Sequence, residues 1–330
     1  MANLALRNPQ FKFIVASATA KSVECSVTID GTLRYTLIKN LPTITSGTQT
    51  INFDIAELAR DYIEIQYQTD YVPQTVSIST LIKSYPSING DGSPIDSASY
   101  TDKGFEAYGT FEEGVNPNVP FRNVPSYLMS KSSSTEFTIL APNGLSGKLP
   151  SITSLNGLIA TNYSTTDTIK TVEGNVCNIK RIDCTKYGNG NKITFINKYG
   201  AQQDLFFFLK KTKSLARTNE GYKSNTITYP SGGATYSIQD APNKVFNTQG
   251  KQSYTLSSGY YPEFANQFFE ELLLSEYVWL DPSTINSART STIPVKVKTS
   301  SMSYKTSVND RLIEYTIEFE EAFDYINNIR

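Results

Sequence analysis

The chain has 330 residues, a net charge of −1 and a sequence pI of about 5.8. This balance excludes a global basic field that would hold nucleic acid or an anionic membrane surface. The sequence contains no histidine, which excludes Ser-His-Asp and Cys-His catalysis, His-containing zinc sites and the most common general base.

The composition favours β-structure. The chain has 21 tyrosines and 17 phenylalanines among many serines and threonines, and aromatic and β-branched residues fit a pleated sheet. We expect a mainly β fold with two β-sandwich or barrel-like domains, an extended loop-rich arm and a few short helices. The predicted parts are an N-terminal β-sandwich (1–84), the arm or insertion (85–150) and a second β domain (151–330).

The first 84 residues alternate between apolar and polar positions. Three runs predict strand faces: Phe11, Phe13 and Val15; Val23, Cys25, Val27 and Ile29; and Leu33, Tyr35 and Leu37. Asp30-Gly31 between the last two runs predicts a hairpin turn. Asp54 and Glu57 have capping-box spacing, which predicts a helix over 55–62, and Ile63, Ile65 and Tyr67 then predict another strand.

Residues 85–150 differ in composition. They include SINGDGSPIDSAS and EEGVNPNVPFRNVPS, which are rich in turn-forming residues, with short strands such as 137–140. Long irregular segments in folded chains are usually functional or bound to a partner. We therefore expect an arm that becomes ordered against neighbouring subunits.

The second β domain is predicted to contain strands, one helix and a C-terminal hairpin. Strands are predicted at 179–182 and 193–196, with a turn at 187–190 between them. The helix is expected over 263–280, with Phe264, Phe268, Leu272 and Trp279 on one stripe. The hairpin joins Val295 and Val297, through a turn at Asn309-Asp310, to an alternating strand of Ile313, Tyr315, Ile317 and Phe319.

Five apolar residues stand together at 205–209, in LFFFL. Such a run would suit a ligand pocket, a membrane segment or a strand buried on both faces, but it is far too short to span a bilayer. We expect the buried strand, with its second face against the 263–280 helix or another subunit. Lys210, Lys211 and Lys213 would limit its aggregation.

Three motifs resemble known functional sites, but their residues or spacing do not match those sites. NGLSGKLP (143–150) has proline and leucine where a Walker A loop needs glycine and Ser/Thr, so it predicts a turn. NGDGSPID (89–96) lacks the glycine and glutamate of an EF-hand. The Glu-Glu pairs at 112–113, 270–271 and 320–321 are adjacent, so in a strand they point to opposite faces. We predict no catalytic residue, no metal and no cofactor.

The remaining signals concern cysteines and targeting. Cys25, Cys177 and Cys184 are too few for a disulfide framework, although Cys177 and Cys184 could close a small hairpin; buried thiols are the favoured interpretation. The N-terminal apolar run is too short for a signal peptide. No run reaches the 18 apolar residues of a membrane helix, so we expect no membrane span.

Several stretches are similar to virion structural proteins of tailed phages. They are ALRNPQF, FDIAELARDY, GTFEEGVNP, FINKYGAQQDLFFF and the C-terminal YKTSVNDRLIEYTIEFEEAFDYINNIR. Together they resemble tail proteins of crAss-like podoviruses that infect Bacteroidetes. The motifs are structural, so the resemblance carries no catalytic residue.

This resemblance implies a β-rich subunit of a closed ring through which DNA passes. The ring could be a tail hub or tail-tube ring, a ring beneath the portal or the base of a tail fibre; we favour the tail hub or tail-tube ring, made in the host cytoplasm and located in the virion tail. Its partners would be further copies of itself and other tail or connector proteins, with DNA passing through without specific binding. The candidate interaction residues are Phe206, Phe207, Phe208, Tyr260, Tyr261, Tyr315 and Phe319. Exposed edges of the C-terminal hairpin would pair across subunits.

Two alternatives stay open. A receptor-binding or adhesin-like tail module would use tyrosines, including Tyr260 and Tyr261, to contact host surface glycans. In the 263–280 helix, Trp279 is expected in the core rather than on a sugar. A hydrolase acting on cell wall or capsule would need two convergent carboxylates, which no spacing in the sequence predicts.

Overall fold

The computed structural model describes residues 2–71, 74–108, 136–149, 162–172, 175–182, 190–283, 285, 291–304 and 312–325. Strands dominate these residues, so the predicted mainly β fold is confirmed. Two compact units are present. The first comprises Met1–Thr185, Thr194–Leu205 and Leu274–Tyr277; the second comprises Lys186–Ile193, Phe206–Leu273 and Val278–Arg330. The units interleave along the chain, whereas the predicted domains are consecutive.

The strands and helices up to residue 182 are β1 (Ala2–Ala5), β2 (Phe11–Ser17), β3 (Ser22–Ile29), β4 (Thr32–Asn40), β5 (Thr48–Asp54), α1 (Ala56–Arg60), β6 (Thr75–Tyr85), β7 (Asp96–Phe105), β8 (Glu136–Pro142), β9 (Gly147–Lys148), β10 (Asn162–Tyr163), β11 (Ile169–Val172) and β12 (Asn175–Ile182). Those that follow are β13 (Asn191–Ile196), β14 (Gln202–Phe207), β15 (Lys211–Lys223), β16 (Ile227–Thr228), β17 (Thr235–Tyr236), β18 (Asn243–Ser257), β19 (Tyr261–Pro262), α2 (Asn266–Leu274), β20 (Val278–Leu280), β21 (Ile293–Val297), β22 (Leu312–Ile313) and β23 (Thr316–Glu321). Single 3₁₀ turns lie at Ile88–Gly90 and Glu263–Ala265.

The first unit contains a five-stranded sheet in the order β1-β7-β6-β3-β4 and the two-stranded sheet β2-β5, which share one core. The predicted β3–β4 hairpin is confirmed, and Asp30 and Gly31 at its turn both have positive φ, as a two-residue hairpin loop requires. Every second residue of β3 from Val23 to Ile29 is buried, as predicted.

The predicted inward face of β2 is wrong. Phe11 and Val15 are exposed, while Lys12, Ile14 and Ala16 are buried. Lys12 can be buried because its Nζ lies 2.6 Å from an Asp102 carboxylate oxygen. Because the Asp102 carboxylate compensates the lysine charge, the face of β2 that carries Lys12 can be the buried one. The alternation of apolar and polar residues alone does not predict this.

The segment after β5 also departs from expectation. The predicted helix exists but is shorter, and the Asp54 side chain accepts a hydrogen bond from the amide of Ala56 rather than forming the capping box. Residues 63–68 are described and form no strand. Instead, glutamine side chains bond their backbone: Gln74 pairs with Gln66, and Gln202 pairs with Gln68 in both directions.

The predicted arm at 85–150 is wrong for part of its length. β7 lies between β6 and β1 in the five-stranded sheet, although its sequence is rich in Ser, Gly and Asp. Backbone hydrogen bonds to strands on both sides stabilise β7, although its side chains show little of the hydrophobic pattern that predicts a strand. The predicted short strand at 137–140 is confirmed within β8, and residues 109–135 lie outside the described residues.

The predicted turn in NGLSGKLP is confirmed, with Gly144 at positive φ. Nearby, β8 joins β11 and β12 in a three-stranded sheet of the first unit. Cys177 of β12 is a free buried thiol, and so is Cys25 of β3, which excludes the hairpin disulfide. Burial raises the pKa of Cys25 to about 11 and that of Cys177 to about 12. Both thiols are therefore inert packing groups.

The second unit contains strands in the order β20-β21-β23-β18-β15, with α2 and the short pair β19-β22. The predicted pairing of the C-terminal hairpin is confirmed between β21 and β23, and its turn lies outside the described residues. The predicted strand from Ile313 to Phe319 is divided, because β22 pairs with β19 and only β23 pairs with β21. However, β21 and β23 are both interior strands, so the expectation that they offer free edges is wrong.

The predicted 263–280 helix is too long. A 3₁₀ turn at Glu263–Ala265 leads into α2, which ends at Leu274, and residues 278–280 form β20. Val278, Trp279 and Leu280 are all buried, which suits a strand covered on both faces better than one helical stripe. Trp279 lies in the core, as predicted, but in a different element.

Candidate interaction surface

An exposed β-ribbon is the most unusual surface of the second unit. We define the ribbon as residues 211–247, which include β15, β16, β17 and the start of β18. All 13 residues of β15 are exposed, although β15 pairs with β18 over its whole length. Sheet strands normally cover at least one face, so a ribbon exposed on both faces requires explanation.

The ribbon is held to the second unit through the far end of β18. Tyr254 and Leu256 of β18 are fully buried, and residues 253–257 pair with β23. The Tyr254 hydroxyl donates to a Glu321 carboxylate oxygen at 2.6 Å. The base of the ribbon is thus a core strand, and the exposed part continues from a fixed support.

The ribbon narrows into a small hairpin at its far end. The Ser224 amide donates to the Pro242 carbonyl at 2.7 Å, beyond which β16 and β17 pair through Ile227–Tyr236 and Thr228–Thr235. The Gly233 amide donates to the Pro230 carbonyl at 3.0 Å to close the turn, with Gly233 at φ 114°. Glycine is suited to this position because L side chains rarely adopt such a φ.

A bulge bends the ribbon near its middle. The β15–β18 register shifts between Glu220 and Gly221, where a Cβ on Gly221 would lie 3.1 Å from the Lys244 carbonyl oxygen. Beside the bulge, the rings of Tyr222 and Phe246 are 6.2 Å apart. Bulges increase local twist, so this one turns the aromatic pair relative to the base.

The ribbon exposes a large amount of apolar surface. Tyr229 is 76% exposed and Ile238 is 91% exposed. The other exposed large apolar residues of the ribbon are Leu215, Tyr222, Ile227, Tyr236, Val245 and Phe246. Single exposed apolar residues are ordinary, but eight within one ribbon are typical of a binding surface.

The ribbon is also basic. It carries five lysines or arginines and two carboxylates, a net charge of +3, in a chain of net charge −1. The rest of the chain therefore has a net charge of −4. Four of the cations, Lys211, Lys213, Arg217 and Lys223, lie on β15, the terminal strand of its sheet.

The sequence-predicted interaction residues lie elsewhere in the second unit. Six of the seven are buried: Phe206, Phe207, Phe208, Tyr261, Tyr315 and Phe319. Only Tyr260 among them is exposed, at 53%. The six side chains pack the core of this unit and are not available to another molecule in this structure.

These buried aromatics explain the LFFFL run. The ring of Phe207 meets those of Phe269 in α2 and Phe319 in β23, at centroid distances of 6.1 and 5.7 Å. Tyr261 contacts both Phe208 and Phe269, and its hydroxyl donates to the Phe206 carbonyl at 2.6 Å. The expected burial on both faces and the packing against the predicted helix are confirmed.

No constellation suited to catalysis was found among the described residues. They contain no group of three or more Asp, Glu or Cys residues that could hold a metal ion. Glu320 contacts Lys251 and Lys298, whereas Glu321 is buried against Tyr254, so this pair does point to opposite faces. The pair Glu112–Glu113 lies outside the described residues.

A buried polar network in the first unit has a structural explanation. The Tyr71 hydroxyl and the Thr194 hydroxyl both donate to Oδ1 of Asp204, at 2.5 and 2.7 Å. Burial, and then the Asp204 charge, raises the pKa of Tyr71. Tyr71 therefore stays neutral and satisfies a carboxylate, as buried polar groups must.

One cavity of the second unit, about 160 Å³, is lined by residues such as Leu273, Met302, Tyr315 and Ile317. Pockets for small-molecule ligands are usually about 300–1,000 Å³, so this cavity is small for a substrate. In the part of the chain that the structure describes, no helix is both long and apolar enough to cross a membrane.

Comparison of the chain with models of known protein families, with curated proteins and with solved structures gave no match. The ribbon, and not a shared family site, is therefore the feature from which function is inferred.

Sequence reasoning missed the ribbon because it lacks period-2 hydrophobicity. KTKSLARTNEGYK has neither an apolar face nor a helical stripe. Two signals were present: the YPSGGATY turn between Thr- and Tyr-containing flanks, and the lysines that are typical of edge strands.

Proposed function

We propose that the protein is a non-enzymatic structural subunit of a closed oligomeric ring, a tail hub or tail-tube ring of a bacteriophage. The observation that carries this proposal is the exposed, basic and apolar ribbon on the second unit. A subunit with so much uncovered apolar surface on one element is suited to assembly with neighbours.

Strand edges support this function. β15 is a terminal strand, and edge strands can extend a neighbouring sheet through backbone hydrogen bonds. Repeated head-to-tail contacts between identical subunits close into a ring when the rotation per subunit divides a full turn. The assignment to a phage tail rests on the similarity of FINKYGAQQDLFFF and the other quoted stretches to tail proteins of crAss-like podoviruses.

In this proposal the ring is a conduit for genome ejection. The partners are further copies of the chain and other tail or connector proteins, and DNA passes without specific binding. A chain of net charge −1 suits such passage, because strong attraction to phosphates would retain the DNA. The protein would be made in the bacterial cytoplasm and function in the virion tail.

The mass and shape of the purified protein test this proposal. We expect light scattering to give one discrete oligomer and negative-stain images to show rings with a central channel. A protein that stays monomeric at the highest soluble concentration, including when mixed with isolated phage tails that lack it, would contradict the ring.

A receptor-binding tail module is the second candidate. The observation that favours it is the group of exposed tyrosines on the ribbon: Tyr222, Tyr229 and Tyr236. Exposed aromatic rings can stack on sugars while their hydroxyls stay solvated. Binding of the purified protein to a glycan array, together with loss of that binding in a Tyr229→Ala/Tyr236→Ala variant, would support this function. The absence of binding to any glycan would contradict it.

A further inference from the structure

The ribbon needs a partner to cover it. Two-stranded β-ribbons are marginally stable in water on their own, and this one exposes both faces for much of its length. Its apolar side chains, such as Tyr229 and Ile238, contribute little to folding while they remain in water. The partner surface must have a charge complementary to the basic edge strand β15.

A second ribbon does not match that edge. If two β15 strands paired antiparallel, one register would place Lys213 of each strand opposite Lys223 of the other, and another would place the two Arg217 residues opposite each other. Like charges on directly opposed strand positions are destabilising. The partner surface should therefore be acidic.

The first unit contains such a surface. We define the acidic segment as Glu57 near the start of α1, Asp61 directly after α1 and Glu64 in the irregular stretch that follows. All three are exposed, and none forms a salt bridge with any described residue. Their neighbour Arg60 is not free to neutralise them, because its NH2 group lies 2.7 Å from Glu106 and 2.6 Å from Glu276.

The two carboxylates that flank the acidic segment in the sequence are already engaged. Asp54 accepts hydrogen bonds from the amides of Gln10 and Ala56. Asp70 lies 2.7 Å from the Lys148 ammonium. Three carboxylates without a salt bridge to any described residue thus stand on the first unit, with the Arg34 guanidinium nearby on the ring of Tyr62. Three cations without such a salt bridge, Lys213, Arg217 and Lys223, stand on the ribbon.

We propose that the ribbon of one subunit docks on the acidic segment of the next subunit. This inference rests on the proposed function, since it names the contact that builds the ring. The two surfaces are different, so the contact is head-to-tail, and such contacts generate rings or filaments rather than closed dimers. The charges position the ribbon, and its apolar residues bury their area against the neighbour.

Charge reversal tests the contact. The ribbon variant is K213E/R217E/K223E, and the segment variant is E57K/D61K/E64K. We expect each to raise the concentration needed for half-assembly by at least about tenfold, because like charges then oppose each other. Combining all six substitutions in one chain should restore assembly. Sedimentation velocity over a concentration series measures all four proteins.

The control is K21E, which reverses one exposed lysine outside the ribbon and the acidic segment. It should assemble like the unaltered protein, and circular dichroism should show that every variant keeps its β content. Raising the salt concentration should also weaken assembly of the unaltered protein, since exposed charge pairs are screened.

The outcomes separate the two proposals. If the unaltered protein assembles and both triple variants assemble equally well, the docking contact is wrong while the ring stands. If each triple variant fails and the six-substitution chain also fails, charge pairing between these two surfaces is wrong. A protein that never assembles contradicts both the ring and the contact.

Discussion

At some single positions of the second unit, the backbone conformation and the packing allow only glycine. Gly259 has φ 84°, and a Cβ built there would overlap the ring of Phe208. A side chain at this position would therefore meet backbone strain and a steric clash together.

We predict that Gly259→Ala destabilises the protein by about 3 kcal/mol, adding about 1–2 kcal/mol for the left-handed backbone to the overpacking of Phe208. Urea denaturation followed by fluorescence measures the change. Gly232→Ala is the control, since no atom lies within 4 Å of its Cβ and its φ is not positive. Equal stability of the two variants would contradict the packing argument.

The buried thiol of Cys25 predicts a pH effect. Burial raises its pKa from the ordinary 9.0 to about 11, so the folded state holds its proton longer than the unfolded chain does. Where the unfolded chain binds fewer protons, stability falls as pH rises. The contribution is therefore intact below about pH 9 and is lost between about pH 9 and 11.

Comparing Cys25→Ala with the unaltered protein isolates this effect, because other groups titrate equally in both. The free energy of unfolding should fall less steeply for the variant from pH 9 to pH 11. Parallel pH dependences would show that Cys25 does not contribute.

At the scale of elements, α2 organises the aromatic core of the second unit. Phe269 of α2 contacts Phe207, Tyr261 and Tyr315, at centroid distances of 6.1, 5.4 and 5.0 Å. Two strands, β14 and β19, and the segment between β22 and β23 thus converge on one side chain of a nine-residue helix, which is too short to be stable by itself.

Phe269→Ala should lower the free energy of unfolding by about 3–5 kcal/mol, the usual range for a buried phenylalanine. Phe264→Ala, at a partly exposed position of the preceding 3₁₀ turn, should change it by less than about 1 kcal/mol. Differential scanning calorimetry compares the two, and similar melting temperatures would contradict the central role of Phe269.

At the scale of the whole molecule, the proposed assembly changes which parts are accessible. The ribbon holds Lys211, Lys213, Arg217, Lys223 and Lys244, all exposed, and its strands are held mainly by each other. Elements with few buried contacts open at low free energy, so proteases cut them first.

Limited trypsin digestion should therefore cleave the free subunit first within 211–247, with fragments identified by mass spectrometry. In assembled rings the same sites should be protected, while exposed Lys21 keeps its reactivity toward an amine-modifying reagent. First cleavage elsewhere, or equal cleavage of ribbon sites in both states, would contradict a ribbon that is covered on assembly.

Strands with a clear inward face were predictable because local alternation reflects burial directly. The β3–β4 hairpin and the β21–β23 pairing followed from period-2 patterns and turn residues, and the buried run at 205–208 followed from an unbroken apolar stretch of strand length. The absence of histidine and the adjacency of the glutamate pairs likewise restricted the chemistry without a structure.

Only the tertiary structure decided features that depend on distant partners. The inward face of β2 depends on the pairing of Lys12 with Asp102, and the strand β7 depends on neighbours on both sides. The strand that follows α2, β20, depends on its pairing with β21. The ribbon is a further example. Its side chains have no buried face, so its β conformation depends on the pairing of the 13 residues of β15 with β18. Backbone pairing between distant segments produces no hydrophobic periodicity that could be recognised in the sequence.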